Sequence, residues 1–212
     1  MKLPRNARLA GLSCLLLLAA SLPAAAVELI PMVGWRFGGN FDGNNNCYCN
    51  YYYPSLNLDS SASYGAMLDI PFTHGPYALE LYYSHQNTTL QNGLSLSPPV
   101  HDMDVDVIHV GVSAALPTSD RNLSWLFTLS GGATILDAAN TSSETYPSIG
   151  LGVGLRYMAN EHLGLRADLR GIFSFMGSGN AFLACGYGCS GGYYSSSVLA
   201  QGEASLGLVL RF

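Results

Sequence analysis

From residue 200 to the C-terminus every second side chain is apolar or small: Ala200, Gly202, Ala204, Leu206, Leu208, Leu210 and Phe212. The set between them, Gln201, Glu203, Ser205, Gly207, Val209 and Arg211, holds the polar groups. Neighbouring side chains of an extended strand point to opposite faces, so a period of two predicts a strand with one apolar and one mixed face. The same split separates Ile149, Leu151, Val153, Leu155 and Tyr157 from Ser148, Gly150, Gly152, Gly154 and Arg156. It separates Leu163, Leu165, Ala167 and Leu169 from Gly164, Arg166, Asp168 and Arg170 as well. Five earlier segments fit, at roughly residues 28–38, 63–72, 77–86, 103–116 and 123–135. The prediction is eight strands of about ten residues, a length that crosses a bilayer at a tilt.

The connections alternate in length. Long ones (residues 39–62, 87–102, 136–144 and 177–199) follow the odd-numbered strands, and short ones (73–76, 117–122 and 159–162) the even-numbered. Aromatic residues sort by height: Phe72, Tyr77, Trp125, Tyr157 and Phe212 fall on the apolar face at one end, and Phe37, Tyr64, Tyr83, Phe173 and Phe175 near the other. Short turns on one side, long loops on the other and interfacial aromatic girdles are the pattern of a membrane barrel. The expected fold is therefore all-β, an eight-stranded antiparallel up-and-down transmembrane β-barrel with long external loops and short periplasmic turns. A soluble barrel would need a solvated outer face. Here the non-apolar face, rich in Gly and poor in Lys and Glu, suits a crowded lumen better.

The N-terminus reads as an address. Lys2, Arg5 and Arg8 precede a short apolar run from Leu9 to Leu22, and Ala24-Ala25-Ala26 offers a small-residue cleavage site. Residues 1–26 are expected to be a cleaved signal and residues 27–212 the barrel domain. Cys14 lies inside the apolar run, not after it, which argues against a lipid anchor. Of nine Lys and Arg, three belong to the signal; six arginines then face fourteen acids, a formal charge of −8. That balance excludes nucleic acid as a partner.

Several stretches resemble small eight-stranded outer-membrane barrels of Gram-negative bacteria, the OmpA, OmpX and OmpW-like proteins, and more narrowly the outer-membrane protein β-barrel domain family. They are Gly34-Trp35-Arg36-Phe37-Gly38-Gly39, Asp104-Val105-Asp106-Val107-Ile108-His109, Gly150-Leu151-Gly152-Val153-Gly154 and Gly207-Leu208-Val209-Leu210-Arg211-Phe212. The resemblance implies a cell outer-membrane location after export through the periplasm, contact with lipid and lipopolysaccharide, and Phe212 as the signal read by the barrel-assembly machinery. It implies no substrate and no cofactor, and a monomer is expected.

Three groups of residues could carry function. Parity puts Arg36, Arg156, Arg166, Arg170 and Arg211 in the lumen against Asp69, Glu80, Asp168 and Glu203, a nearly balanced set expected to bridge and plug a narrow interior. A narrow porin-like channel for small or apolar solutes is the alternative. Outside, Asp102, Asp104 and Asp106 share one face at a strand end, where they could share Ca²⁺ or Mg²⁺ with lipid phosphates or be simply solvated. Cys47 and Cys49 in the first loop and Cys185 and Cys189 in the last are disulfide candidates in an oxidising compartment. Three pairings are open, with cross-links between the loops or a Cys185–Cys189 bond favoured over a strained Cys47–Cys49 ring; their spacing does not suit zinc. Enzymatic signals are weak. Ser84-His85 with His101, Asp102 and Asp104 nearby is the nearest approach to a triad for lipid A chemistry, but no Ser–His or His–Asp motif of such enzymes is present. The expectation is a non-enzymatic barrel that supports the envelope, with external loops available for binding.

Overall fold

The computed structural model describes residues 26–41, 56–91, 102–138, 143–176 and 198–212. In chain order its strands are β1 (Glu28–Gly38), β2 (Asn40–Phe41), β3 (Leu56–Leu58), β4 (Ser61–Pro71), β5 (Tyr77–Gln91), β6 (Asp102–Pro117), β7 (Leu123–Ala138), β8 (Glu144–Met158), β9 (Leu163–Phe175) and β10 (Val198–Arg211). All pairings are antiparallel, and each long strand pairs with the long strands next to it in sequence. The seam between β1 and β10, with Glu28 opposite Arg211 and Arg36 opposite Glu203, closes the barrel. Eight long strands make the wall, as the alternation predicts.

The outer ends differ from the expectation. β5 runs to Gln91 and β7 to Ala138, beyond the expected ends at 86 and 135, because their tips still have partners: Thr89 faces Asp102 and Leu136 faces Glu144. The first loop contributes β2 and β3, which the alternation does not show; β3 adds to the projecting tip of β5 at Asn57–Gln91 and Leu58–Leu90. Gly38 and Gly39 adopt φ of +79° and +100°, which turn the chain across the outer mouth. A Cβ at Gly39 would lie 2.8 Å from Leu58 Cδ1, so this glycine lets the first loop pack down onto the barrel end.

The exterior is apolar. Val33, Trp35, Ile108, Val110, Phe127, Leu129, Leu151, Leu165, Leu169 and Leu206 all stand open on the outer wall, with Val33 and Leu206 at 66% exposure. Contiguous apolar surface on this scale does not face water in a soluble monomer. Among the described residues no helix is long and apolar enough to cross a membrane, and the strands do the crossing. Phe72, Tyr77, Trp125, Tyr157 and Phe212 are exposed at the periplasmic end, and Phe37, Tyr64, Tyr83 and Phe175 at the other, as two girdles. Phe173 is only half-buried on the same outer wall.

Polarity inverts along β6, and the inversion locates the outer edge of the membrane. In its lower half the outward residues are Ile108, Val110 and Val112 and the inward ones His109 and Ser113. In its upper half the outward residues are Asp102, Asp104 and Asp106, while Met103, Val105 and Val107 are buried inside. Above Ile108 the strand is built like a soluble protein, and below it like a membrane barrel.

Candidate functional site

The lumen is filled by three charged tiers stacked along the barrel axis. At the periplasmic end Glu28 accepts from Arg156 Nη1 at 3.0 and 2.9 Å and from Arg211 Nε at 2.9 Å. In the middle Arg166 donates to Asp69 at 2.8 Å, to Glu80 at 2.7 Å and to Asp168 at 2.8 and 2.9 Å. Arg170 donates to the other oxygen of Glu80 at 2.7 Å, and its guanidinium lies 4.0 Å above the Tyr82 ring. Next, Arg36 meets Glu203 at 2.9 Å; Ser84 Oγ accepts from Arg36 at 2.6 Å and lies 2.8 Å from Glu203, and Tyr82 donates to Glu203 at 2.6 Å. Arg36, Glu80, Arg166, Arg170 and Glu203 are all buried to 3% exposure or less. Charges so far from solvent persist because each is paired and hydrogen-bonded.

Of the charges that parity assigns to the lumen, Arg36, Asp69, Glu80, Arg166, Asp168, Arg170 and Glu203 are buried, and Arg156 and Arg211 are half-buried at the periplasmic mouth. The sequence reading missed Glu28, which is 2% exposed and holds Arg156 and Arg211. With Glu28 the nearly balanced set becomes five arginines against five acids. Its parity matches that of Arg36 eight residues on, and this is the signal that could have found it.

Above the charges lies a neutral polar layer that the sequence did not reveal. His109 Nε2 is 2.8 Å from Ser148 Oγ and its Nδ1 is 3.1 Å from Ser130 Oγ. Thr134 donates to Ser148 at 3.0 Å and Ser174 to Thr134 at 2.7 Å. Within the Gly150-x-Gly152-x-Gly154 run, Gly150 makes room for this layer and Gly154 for the middle charged tier. A Cβ at Gly150 would fall 2.8 Å from His109 Nδ1, and one at Gly154 would fall 2.7 Å from Asp168 Oδ1. Higher still, Leu58, Met103, Val105, Leu136, Met176 and Leu199 form an apolar cap, each 6% exposed or less.

The outer face of the rim carries a separate set. Tyr83 Oη donates to Asp106 Oδ1 at 2.9 Å, and His85 Nδ1 is 2.8 Å from the same oxygen. Asn87 Nδ2 donates to Asp104. Asp104 and Asp106 thus each take donors from β5, and among the described residues no group of three or more His, Cys, Asp or Glu converges as a metal site. Any cation there would draw its remaining ligands from lipid phosphates. Ser84 and His85 cannot form a triad: Ser84 is buried in the lumen against Arg36 and Glu203, while His85 faces outward to Asp106. Cys47, Cys49, Cys185, Cys189 and His101 lie outside the described residues, as do residues 1–25 of the expected signal.

A closed antiparallel wall with lipid-compatible side chains outside and paired charges inside defines a transmembrane β-barrel. The chain belongs to the outer membrane protein beta-barrel domain family, whose profile matches residues 12–212, and the protein sits in the outer membrane. Comparison with curated proteins finds no match. Among solved structures it is similar to Neisserial surface protein A, with a TM-score of 0.55 and 12% identity over 89% of this chain and 98% of that one. The N-terminal β-barrel domain of Pseudomonas aeruginosa OprF gives 0.48 and 14% over 89% and 98%. At that identity, the likeness to the Neisserial protein is one of fold.

Proposed function

We propose that this protein is a non-conducting, non-enzymatic barrel that anchors and presents its external loops and adds a rigid element to the envelope. The luminal plug carries the reading. Five arginines and five acids lock the lower and middle lumen, and the apolar cap of Leu58, Met103, Val105, Leu136, Met176 and Leu199 covers it from outside. An ion crossing this barrel would have to break the buried Arg36–Glu203 and Arg166–Glu80 pairs and then pass an apolar cap, each step costing several kcal/mol. A protein with a sealed interior acts through its surfaces, and the long connections gather on one side of the membrane. Lipid and lipopolysaccharide surround the wall, and we assign its insertion to the barrel-assembly machinery acting on a chain that has lost residues 1–26.

A liposome-swelling assay with a small sugar tests the plug. Vesicles containing the refolded protein should swell no faster than empty ones; protein-dependent swelling would favour the porin-like alternative.

A further inference from the structure

The plug does not fill the periplasmic mouth, which holds a cavity of about 170 Å³. Gly75 and Pro76 lie at its rim, and Glu28, Asp69, Arg156 and Arg211 supply its charges. At about 30 Å³ per water-sized group, it has room for roughly six heavy atoms.

Its charges are arranged unevenly. Around the opening two guanidiniums, Arg156 and Arg211, share the single carboxylate of Glu28, which leaves one positive charge in excess. In the sealed tier behind, three carboxylates (Asp69, Glu80 and Asp168) face two guanidiniums (Arg166 and Arg170), which leaves one negative charge. Asp69 stands where the two tiers meet, directly opposite Glu28 in the β1–β4 register. Its Oδ2 accepts from Arg166, but its Oδ1 is buried with no hydrogen-bond partner, on a side chain only 3% exposed. Across the cavity Arg156 directs Nη1 to Glu28 while its Nε is likewise buried and unpartnered. A buried polar group without a partner costs about 1–3 kcal/mol, more if charged, so two residues that line the cavity keep unmet needs, Asp69 for a donor and Arg156 for an acceptor.

We propose that this cavity binds a small α-amino acid from the periplasm, its carboxylate on Arg156 and Arg211 and its ammonium group on Asp69. The polarity of the walls fixes the orientation. A zwitterion matches both excesses, its carboxylate meeting the positive opening and its ammonium the negative tier, and it leaves the net luminal charge at zero, whereas a bare anion or cation would not. Guanidinium forks suit a carboxylate, and the size limit favours a side chain no larger than that of alanine. Binding needs no passage through the barrel, so it stands independently of whether the lumen conducts.

Saturation-transfer NMR on the refolded protein in deuterated detergent tests the proposal, with alanine as the probe and propionate and ethylamine as its two halves. Alanine should give a saturable signal with Kd on the order of 1 mM. Each half should bind at least about 10-fold more weakly, since each leaves one wall unpaired. Ala115 lines the cavity without taking part in the charge network, and Ala115→Leu should fill the space and abolish the signal while the heat-modifiable gel shift persists. Arg211→Gln, at the more exposed edge, should weaken alanine without unfolding the barrel. No saturable alanine signal from the folded wild type would overturn the proposal. Propionate or ethylamine binding as tightly as alanine would do the same, as would folded Ala115→Leu and Arg211→Gln proteins that bind as the wild type does.

Discussion

Replacing Arg166 by methionine removes the side chain on which the middle tier converges. Arg166 is 1% exposed and bonds three carboxylates, and only Arg170 would be left to balance Asp69, Glu80 and Asp168. Arg170 reaches Glu80 alone among them, so Asp69 and Asp168 would be stranded in a closed lumen. Removing one partner of a single buried pair costs about 3–5 kcal/mol. Two stranded carboxylates set the expected loss at about 5 kcal/mol, with part of it relieved by proton uptake. Trp35 and Trp125, on the lipid-facing wall at 54% and 46% exposure, report unfolding by their fluorescence, so denaturant titration in lipid vesicles gives the number directly. Arg121→Met, in the exposed turn between β6 and β7, is the control and should change stability by no more than about 0.5 kcal/mol. A loss below about 1 kcal/mol for Arg166→Met would show that the luminal network does not hold the barrel together.

Gly150→Ala should destabilise by about 2 kcal/mol because its Cβ meets His109 and Ser130, whereas Gly152→Ala, whose nearest neighbour is 3.5 Å away, should be close to neutral; the same vesicle titration separates them. Deleting Phe212, whose side chain is 75% exposed, should lower the amount of folded barrel in the outer membrane of cells while leaving refolding of the purified protein intact, read in both cases by the gel shift. In vesicles containing lipopolysaccharide, added Mg²⁺ should raise the denaturation midpoint of the wild type more than that of a variant carrying Asp102→Asn, Asp104→Asn and Asp106→Asn; an equal response would remove the proposed cation bridge.

The wall was legible in the sequence because a barrel strand has two unlike environments, and alternation writes both into the chain. Leu206 and Leu208 against Glu203 and Arg211 could be assigned by parity alone, and their burial follows it. What parity does not give is which side chains meet. Arg166 is two residues from Asp168 but 97 and 86 from Asp69 and Glu80, and only the strand register brings these together. The His109 layer was hidden for the same reason, since Ser130, Ser148 and Thr134 are ordinary residues until β6, β7 and β8 align. β2 and β3, at two and three residues, are too short to show a period. Glu28 was overlooked at the very start of its strand, two residues after the expected cleavage site, where the pattern had barely begun. The outer half of β6 reads as one more apolar–polar alternation, but its sense is reversed, and only the burial of Met103, Val105 and Val107 behind the outward Asp102, Asp104 and Asp106, above exposed Ile108, reveals where the membrane ends.

The central claim is that paired charges and an apolar cap seal this barrel. Single-channel recording in a planar bilayer tests it most directly, on refolded protein whose folding has been verified by the gel shift. The sealed lumen predicts a baseline without unitary steps at moderate voltage, and Arg166→Met together with Glu80→Gln should introduce current if the network is the seal. Steady unitary conductance from the wild type would contradict the account.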